Sequence, residues 1–255
     1  MQIRGVKLTR VREDGEHEDE DFVAVEEPLH IRVCVDECET FAVIMRTPGD
    51  DEALSLGFLY SEGAINQFDD VRKVRKLGEN EIEVWLRRRL DFKSRDLIVN
   101  SSCGVCGRTF LYIISTLKSD VSVSREVIFS LPEKLRESQK AFSITGGLHA
   151  AALFSLKGEL IYLFEDVGRH NAVDKAVGRL LMDKRIPLNE GILQVSGRLG
   201  YEIVVKGIRA GIPIICGISA PTSLAIDLAE EAGATLIGFL RGRSFNVYSH
   251  KERVK

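Results

Sequence analysis

The chain has 255 residues, of which 44% are hydrophobic and 29% are charged, a composition typical of a folded protein with a sizeable core and an ordinary water-facing surface. The formal net charge of −3 argues against a protein that coats nucleic acid or an anionic membrane, although a local basic pocket for one phosphorylated ligand remains compatible with it. No apolar run reaches the ~20 residues of a membrane span, and the first residues lack the apolar segment of a secretory signal, so we expect a cytoplasmic protein without membrane contact.

The first 98 residues are predicted to be rich in β-structure. A polar, strongly acidic segment at residues 10–28 is typical of an exposed lead-in or an outer hairpin. Asp50 follows a Thr-Pro-Gly break and is the expected N-cap of a helix. Hydrophobic spacing predicts strands at residues 30–35, 41–45 and 81–86 and a helix over residues 51–62. We therefore expect residues 1–98 to form a smaller β-rich N-terminal lobe with one helix.

The rest of the chain, residues 99–255, has the pattern of an α/β domain. The predicted helices cover residues 108–117, 131–142, 171–182, 201–210 and 223–233, and the predicted strands cover residues 151–155, 160–165, 192–196, 212–217, 235–240 and 244–249. Strands that alternate with helices imply a largely parallel sheet with helices on both faces. Binding sites in such sheets lie at the carboxyl ends of the strands.

Two closely spaced cysteines mark the segment at residues 102–107. Glycines lie beside Cys103 and Cys106 and remove side-chain cover from both thiols. If a helix begins near Arg108, its N-terminal dipole and the guanidinium group both favour the thiolate, which is the nucleophilic form of cysteine. The spacing suits three roles: a structural zinc site completed by Cys34 and Cys38 or by a histidine, a thioredoxin-like dithiol, or a persulfide carrier.

The cysteine content indicates the redox environment. Five cysteines are an odd number and unlike a secreted disulfide scaffold, so we expect free thiols in a reducing compartment. Cys216 lies in the apolar run Ile-Ile-Cys-Gly and is expected to pack as a small hydrophobic residue.

Polar, glycine-rich loops after the predicted strands form a candidate ligand pocket. Free backbone N–H groups at helix starts and nearby guanidinium groups suit a phosphorylated ligand. The candidate ligand-binding residues are His149, Arg169, His170, Arg198, Ser219, Arg241 and Arg243. Less specific explanations stay open: Ser219 can belong to helix capping, the Arg-Gly-Arg segment to a solvated turn, and each histidine to the structure alone.

Several segments in a fixed order resemble those of a known family. They are Arg-Thr-Pro-Gly-Asp at 46–50, Gly-Phe-Leu-Tyr-Ser-Glu-Gly at 57–63, Ser-Cys-Gly-Val-Cys-Gly at 102–107, Glu-Asp-Val-Gly-Arg-His-Asn-Ala-Val-Asp-Lys at 165–175, and the stretch from Gly-Phe to Tyr-Ser-His at 238–250. Together they resemble the formate dehydrogenase accessory proteins of the FdhD family. The long motif that ends in lysine is highly specific, whereas two cysteines at this spacing alone would be weak evidence.

The resemblance implies a sulfurtransferase that acts through a cysteine persulfide. A cysteine desulfurase would load sulfur onto Cys103, and Cys106 would assist. The sulfur would pass to the molybdenum cofactor in its bis-(molybdopterin guanine dinucleotide) form, which formate dehydrogenase requires. The segment expected to bind this cofactor comprises Phe239, Leu240, Arg241, Gly242, Arg243 and Ser244.

The resemblance also implies a main domain similar to the cytidine-deaminase fold, with a mixed, mostly parallel sheet. A zinc deaminase would need His-x-Glu and Pro-Cys-x-x-Cys. Here His149 is followed by Ala150 and Ala151, and Ser102 precedes Cys103, so deamination is not expected.

The expected partners are therefore a cysteine desulfurase, formate dehydrogenase and a guanine nucleotide-type ligand. We expect no nucleic acid partner, no metal ligands and no permanent cofactor, and a homodimer is the default assembly. The alternative is a non-catalytic chaperone that binds the molybdenum cofactor and has structural or zinc-binding cysteines.

Overall fold

The structure is a computed structural model, and it describes residues 1–88, 97–99, 116–117 and 119–255, with only the backbone at 97–99. The catalytic candidates Cys103 and Cys106 lie outside the described residues, as does most of the helix predicted over residues 108–117. None of the helices in the described ranges combines the length and apolar character that crossing a membrane requires.

The described residues form thirteen strands and six α-helices. The strands are β1 (Ile3–Arg12), β2 (Gly15–Ala24), β3 (Glu27–Cys34), β4 (Cys38–Arg46), β5 (Val71–Lys76), β6 (Glu81–Leu86), β7 (Leu97–Val99), β8 (His149–Ser155), β9 (Leu160–Asp166), β10 (Gly191–Val195), β11 (Ile214–Gly217), β12 (Thr235–Arg241) and β13 (Ser244–Ser249). The α-helices are α1 (Asp51–Ser61), α2 (Arg125–Ser138), α3 (Lys140–Thr145), α4 (Arg169–Met182), α5 (Tyr201–Arg209) and α6 (Ser223–Ala232). Short 3₁₀ helices occur at Phe68–Asp70 and Lys251–Arg253.

A six-stranded sheet in the order β13-β12-β11-β10-β8-β9 forms the centre of the molecule. Because successive side chains of a strand point to opposite faces, each central strand contributes to two hydrophobic clusters. Ile192 and Ile214 face the cluster that contains α2, whereas Leu193 and Ile215 face the cluster that contains α4 and α5. The prediction of helices on both faces of the sheet is therefore confirmed.

The sheet is mixed, and the expectation of mostly parallel strands is wrong. β10, β11 and β12 run parallel to one another, but the pairs β8–β9, β8–β10 and β12–β13 are antiparallel. The two hairpins cause the difference, because their short turns join neighbouring strands and such strands must run antiparallel. The proposed similarity to the cytidine-deaminase fold stays a prediction.

A five-stranded sheet in the order β5-β6-β3-β4-β7 lies in the N-terminal part of the chain, and β1 and β2 form a separate hairpin. The predicted strands at 30–35, 41–45 and 81–86 and the exposed hairpin are confirmed. Strand β5 was missed, because a bulge between Val71 and Lys73 breaks the alternation of its two apolar residues.

Helix α1 connects the N-terminal part to the rest of the fold by a close crossing with α4. A Cβ atom on Gly57 would lie 1.8 Å from the carbonyl oxygen of Asp174, and a Cβ atom on Gly178 would lie 1.8 Å from that of Ala53. The glycines thus let two helix backbones touch. The larger hydrophobic cluster includes Leu54 on α1 and Leu180 on α4, so it is continuous across this crossing. A division into domains at residue 98 stays a prediction.

Two local predictions need correction. Asp50 stands at the N-cap position of α1, but its backbone is left-handed and its side chain makes no capping hydrogen bond. The helix predicted over residues 131–142 is two helices: α2 begins early because Ser124 caps it by accepting a hydrogen bond from the backbone N–H of Val127, and a break at Gln139 separates it from α3.

Candidate functional site

A cavity of about 1150 Å³ lies where the parallel strands β10, β11 and β12 end. Ser196, Ile218 and Leu240 come from these carboxyl ends, and His149 comes from the start of the antiparallel neighbour β8. Helix α2 covers the opposite wall with Phe129 and other side chains. The cavity thus occupies the edge of the sheet at which the sequence predicted binding loops.

The turn between β12 and β13 brings two arginines to the cavity. The Nε of Arg241 donates a hydrogen bond to the carbonyl oxygen of Ile218 at 2.9 Å, which fixes the base of its guanidinium group. The guanidinium carbon of Arg243 lies 5.3 Å from the ring centroid of Phe129 on α2. Gly242 between them has φ 54° and open space around it. The turn therefore holds two cationic groups, each oriented by a neighbour, in an arrangement that could pair with an anionic ligand.

Phe239 has an unusual backbone in the same strand. Its φ is 51°, a left-handed conformation that bulky residues rarely adopt, and its side chain is 41% exposed. Its backbone N–H donates to the carbonyl oxygen of Ser219, and the guanidinium carbon of Arg241 lies 6.0 Å from its ring. The strained position exposes an aromatic face beside Arg241, which itself lines the cavity, and such a face is suited to stacking.

His149 lies half-buried in the cavity wall. Its Nδ1 is 3.5 Å from the Oγ of Ser196, which accepts a hydrogen bond from the backbone N–H of Ala150. Burial lowers the pKa of His149, and the positive charges of Arg169 and His170 lower it further. The lowered pKa favours the neutral imidazole, which can either donate or accept a hydrogen bond.

The start of α4 places two further predicted residues beside His149. The Cδ of Arg169 and the Nδ1 of His149 both lie 3.6 Å from the position that a Cβ on Gly197 would take. The Nε2 of His170 lies 2.9 Å from a carboxylate oxygen of Glu202 on α5. This hydrogen bond holds the pKa of Glu202 below its ordinary value, so the carboxylate stays ionised and orients the imidazole.

A buried polar network holds the segment Glu-Asp-Val-Gly at residues 165–168, directly before α4. The carboxylate of Asp166, with no exposed surface, accepts hydrogen bonds from Gly168 N and from the side chain of Asn171. Its other oxygen lies 2.7 Å from Lys175 Nζ and accepts from Thr47 N at 3.2 Å. The motif thus holds the turn that carries Arg169 and His170 and ties it to the N-terminal part of the chain.

The predicted site residues fall into several groups. His149, Leu240, Arg241, Gly242 and Arg243 line the cavity. Arg169, His170, Ser219 and Phe239 are not among its lining residues. Arg169 and His170 lie near His149, Phe239 lies beside Arg241, and the backbone of Ser219 accepts a hydrogen bond from Phe239. Ser244 lines an adjacent groove that also includes Arg243, and Arg198 is exposed. These residues were predicted to bind the cofactor, and that role stays a prediction.

The wall of the cavity that α2 forms was not predicted from the sequence. Phe129, Glu133 and Arg136 line the cavity and follow one another at spacings of four and three residues, which places them on one side of the helix. Ile128, Leu131 and Leu135 form the buried side. The polar stripe beside a separate apolar stripe was the available signal, but a solvated helix surface has the same pattern.

The cysteines outside residues 102–107 do not act as free ligands. Cys34 and Cys38 form a disulfide across the β3–β4 turn, so the expectation of free thiols is wrong for this pair, and its sulfurs cannot be thiolate ligands of zinc in this state. Cys216 is fully buried, and burial raises the pKa of its thiol, which agrees with the predicted packing role.

Comparisons with known proteins show which family the chain resembles over its length. The model of the FdhD/NarQ family matches residues 24–255. A protein from Sulfurisphaera tokodaii named sulfur carrier protein FdhD is 66% identical over 254 residues, which cover 100% of both chains. A protein of the same name from Saccharolobus solfataricus is 64% identical and covers 100% of this chain and 99% of its own.

A solved structure shows the same fold. The crystal structure of a protein from Desulfotalea psychrophila, assigned as a formate dehydrogenase accessory protein, superposes with a TM-score of 0.84. The two sequences are 28% identical, and the match covers 100% of each chain.

Proposed function

The chain belongs to the FdhD/NarQ family. From this premise we propose that it is a sulfur carrier that transfers sulfur to the molybdenum cofactor of formate dehydrogenase. The observation that carries the proposal is the cavity at the ends of β10–β12, which combines aromatic side chains with the guanidinium groups of Arg136, Arg241 and Arg243. Phosphate groups pair with guanidinium groups, and a purine base stacks on an aromatic or guanidinium face. A guanine nucleotide arm of the cofactor fits this combination.

In the proposed reaction the thiolate of Cys103 attacks the terminal sulfur of a persulfide on a cysteine desulfurase. The new S–S bond forms on Cys103 as the donor's S–S bond breaks, and the donor cysteine leaves as a thiolate. Cys106 assists as the neighbouring thiol. The Cys106 thiolate then attacks the inner sulfur of the Cys103 persulfide, so that a Cys103–Cys106 disulfide forms as the bond to the terminal sulfur breaks. The terminal sulfur leaves as sulfide and binds the molybdenum of the bound substrate, which accepts soft sulfur ligands, and a thiol reductant returns the disulfide to two thiols. The cavity contributes by holding the nucleotide arm while the sulfur is delivered.

Loading with sulfur tests the first step. We expect incubation with a cysteine desulfurase and cysteine to add about 32 Da, the mass of one sulfur atom, to the peptide that contains Cys103 and Cys106. The peptide with buried Cys216 is an internal control and should stay unmodified. Absence of added sulfur on the loop peptide, or full activation of the dehydrogenase by a Cys103→Ala/Cys106→Ala variant, would favour a non-catalytic cofactor chaperone.

Binding of guanosine diphosphate tests the cavity. Each charge-assisted hydrogen bond contributes about 1.5–3 kcal/mol, so Arg241→Ala should weaken binding by about 10-fold or more in calorimetric titration. Lys157→Ala removes an exposed cation from the β8–β9 turn and should leave the affinity unchanged. Equal affinities for the wild type and Arg241→Ala would show that the nucleotide binds elsewhere.

A further inference from the structure

Two cysteines and a buried carboxylate meet on the five-stranded sheet, away from the cavity. The sulfur atoms of Cys34 and Cys38 and a carboxylate oxygen of Glu83 lie within 4.8 Å of one another. Cys34 ends β3 and Cys38 begins β4, so the two cysteines are opposite each other at the hairpin turn. Strand β6 runs parallel to β3 on its other side and pairs Glu83 with Arg32. Because residues two apart in a strand share a face, Glu83 and Cys34 lie on the same side of the sheet.

Glu83 is a carboxylate that its neighbours hold mainly through one oxygen. Its side chain is 4% exposed. The Oε2 accepts hydrogen bonds from Nε and Nη2 of Arg75 and from the indole N–H of Trp85, at 2.7–3.0 Å. In the described part of the chain, Oε1 has the longer contact, 3.5 Å from Nη1 of Arg32. A carboxylate that is oriented in this way through one oxygen can bind a cation through the other.

The spacing and chemistry of these donors suit a zinc-type cation once the disulfide is reduced. Three residues separate Cys34 from Cys38, which is within the range of spacings of cysteine pairs in zinc sites. Tetrahedral bonds of about 2.3 Å to sulfur and about 2.1 Å to oxygen place neighbouring donors about 3.5–3.8 Å apart. The three donors already lie within 4.8 Å, so modest movements of the turn and the side chains bring them to these distances.

The charges around the donors balance such a cation. Arg75 Nη2 lies 2.7 Å from the Glu83 carboxylate, and Arg32 Nη1 lies 3.5 Å from it. Arg32 also donates a hydrogen bond to Glu81. With two thiolates and a divalent cation added, these two guanidinium groups and two carboxylates have a net charge of zero. A balanced set of charges offsets the cost of holding thiolates at the buried Cys34.

We propose that reduced Cys34 and Cys38, together with Glu83, bind Zn²⁺ or a similar soft divalent cation, and that the disulfide is the metal-free form of the same site. A thiol reductant converts the disulfide to two thiols and is itself oxidised to a disulfide. Binding of the cation then releases the two thiol protons to water as two metal–thiolate bonds form. Cys38 is partly exposed, so the reductant reaches the site at this sulfur, and water completes the coordination. Exchange with an oxidised thiol restores the disulfide and releases the cation.

Titration of the reduced protein with zinc chloride tests the site. Cys103→Ala/Cys106→Ala is the background protein, because it lacks the two other closely spaced thiols, and a phosphine reductant adds no thiolate of its own. Calorimetry should show about one equivalent of Zn²⁺ bound to the reduced background protein and at least about 100-fold weaker binding to the oxidised one. Cobalt(II) should give thiolate-to-cobalt charge-transfer absorption with the reduced form alone. Adding Cys34→Ser/Cys38→Ser should abolish both signals.

Glu83→Gln tests the third donor. The amide keeps the shape of the side chain but removes its charge, and we expect zinc to bind about 10-fold more weakly or worse. Glu81→Gln is the matched control, because Glu81 lies on the same strand and also contacts Arg32 but is not one of the three donors. It should change the affinity by less than about threefold. Circular dichroism of each metal-free variant checks folding. Should Glu83→Gln not fold, Cys38→Ser alone changes a partly exposed donor and should weaken zinc binding to the same extent.

Three results would overturn the proposal. They are a reduced background protein that binds no zinc, a zinc affinity that survives the loss of Cys34 and Cys38, and equal affinities of the background protein and the variant with one donor changed. None of these outcomes depends on sulfur loading or nucleotide binding, because the background protein lacks Cys103 and Cys106 throughout.

Discussion

At the scale of a single residue, the protonation of His149 should make the free energy of unfolding depend on pH. Its pKa in the folded protein is lowered by burial and by the charges of Arg169 and His170, so the unfolded chain binds a proton more readily than the folded chain. Stability from this group is therefore fully present above its unfolded pKa of about 6.5 and is lost as the pH falls through the folded value.

We expect His149→Gln to reduce this loss. Urea unfolding at about pH 7.5 and about pH 5.5 should give a larger decrease in unfolding free energy for the wild type than for the variant. His17→Gln, on the exposed hairpin, is the matched control and should show the wild-type decrease. If His149→Gln and the wild type lose the same free energy, the imidazole does not titrate as its surroundings indicate.

At the scale of single residues, the sequence predicted which residue types lie at the cavity. It did not predict the contacts that position each of them. Arg241 and Arg243 could be selected because they follow the strand predicted over residues 235–240. The support of Phe239 by the backbone of Ser219, and the left-handed conformation of Phe239, depend on contacts between β12 and the loop after β11. Such contacts between distant segments leave no local signal in the sequence.

Among the elements, the crossing of α1 and α4 is the most sensitive to added volume. Alanine at position 178 would gain about 1 kcal/mol of helix propensity, but its Cβ would meet the backbone of Ala53 at 1.8 Å. A rigid backbone cannot yield, so we expect Gly178→Ala to lower the unfolding free energy by about 3 kcal/mol or more. Gly78→Ala, which adds a methyl group in open space, should change it by less than about 0.5 kcal/mol. Chemical denaturation of both variants measures this difference, and similar stabilities would contradict the close crossing.

The β3–β4 hairpin depends on its disulfide. Cys34 and Cys38 are directly opposite in the ladder and close a short turn, and the loop-entropy model gives such a crosslink about 2 kcal/mol of stability. A reductant should lower the melting temperature of the wild type. The melting temperature of Cys34→Ser/Cys38→Ser should be the same with and without the reductant. A wild type that is insensitive to the reductant, although alkylation shows both thiols to be free, would contradict this role.

Most elements could be predicted because their apolar spacing matches one period throughout. Helix α4 and strands β8 and β9 were placed nearly correctly for this reason. The failures have particular causes: a bulge hides β5, and the N-cap Ser124 begins α2 several residues before its apolar positions show a helical period.

For the molecule as a whole, strand order and direction were the hardest features to predict. The pattern of alternating strands and helices indicated an α/β fold, but it did not distinguish hairpins from crossovers, so the proportion of parallel strands was overestimated. The contact between the N-terminal part and the rest of the chain could not be predicted either. It depends on the hydrogen bond from the Thr47 backbone N–H to Asp166, and these residues are 119 positions apart in the sequence.

The buried pair of Lys175 and Asp166 should stabilise the contact between the N-terminal part of the chain and the start of α4. Lys175 Nζ contacts the Asp166 carboxylate and donates to the carbonyl oxygen of Thr47, and neither charged side chain is exposed. Lys175→Met would leave the Asp166 carboxylate buried without its counter-charge, which costs about 3–5 kcal/mol. Lys184→Met removes an exposed ion pair with Asp69 and should cost less than about 1 kcal/mol. Because the Asp166 network also holds the turn before Arg169, Lys175→Met should increase amide hydrogen exchange at both residues 46–50 and 166–170, whereas Lys184→Met should not. Unchanged exchange at these two segments in a folded Lys175→Met protein would mean that the remaining hydrogen bonds to Asp166 suffice to hold them together.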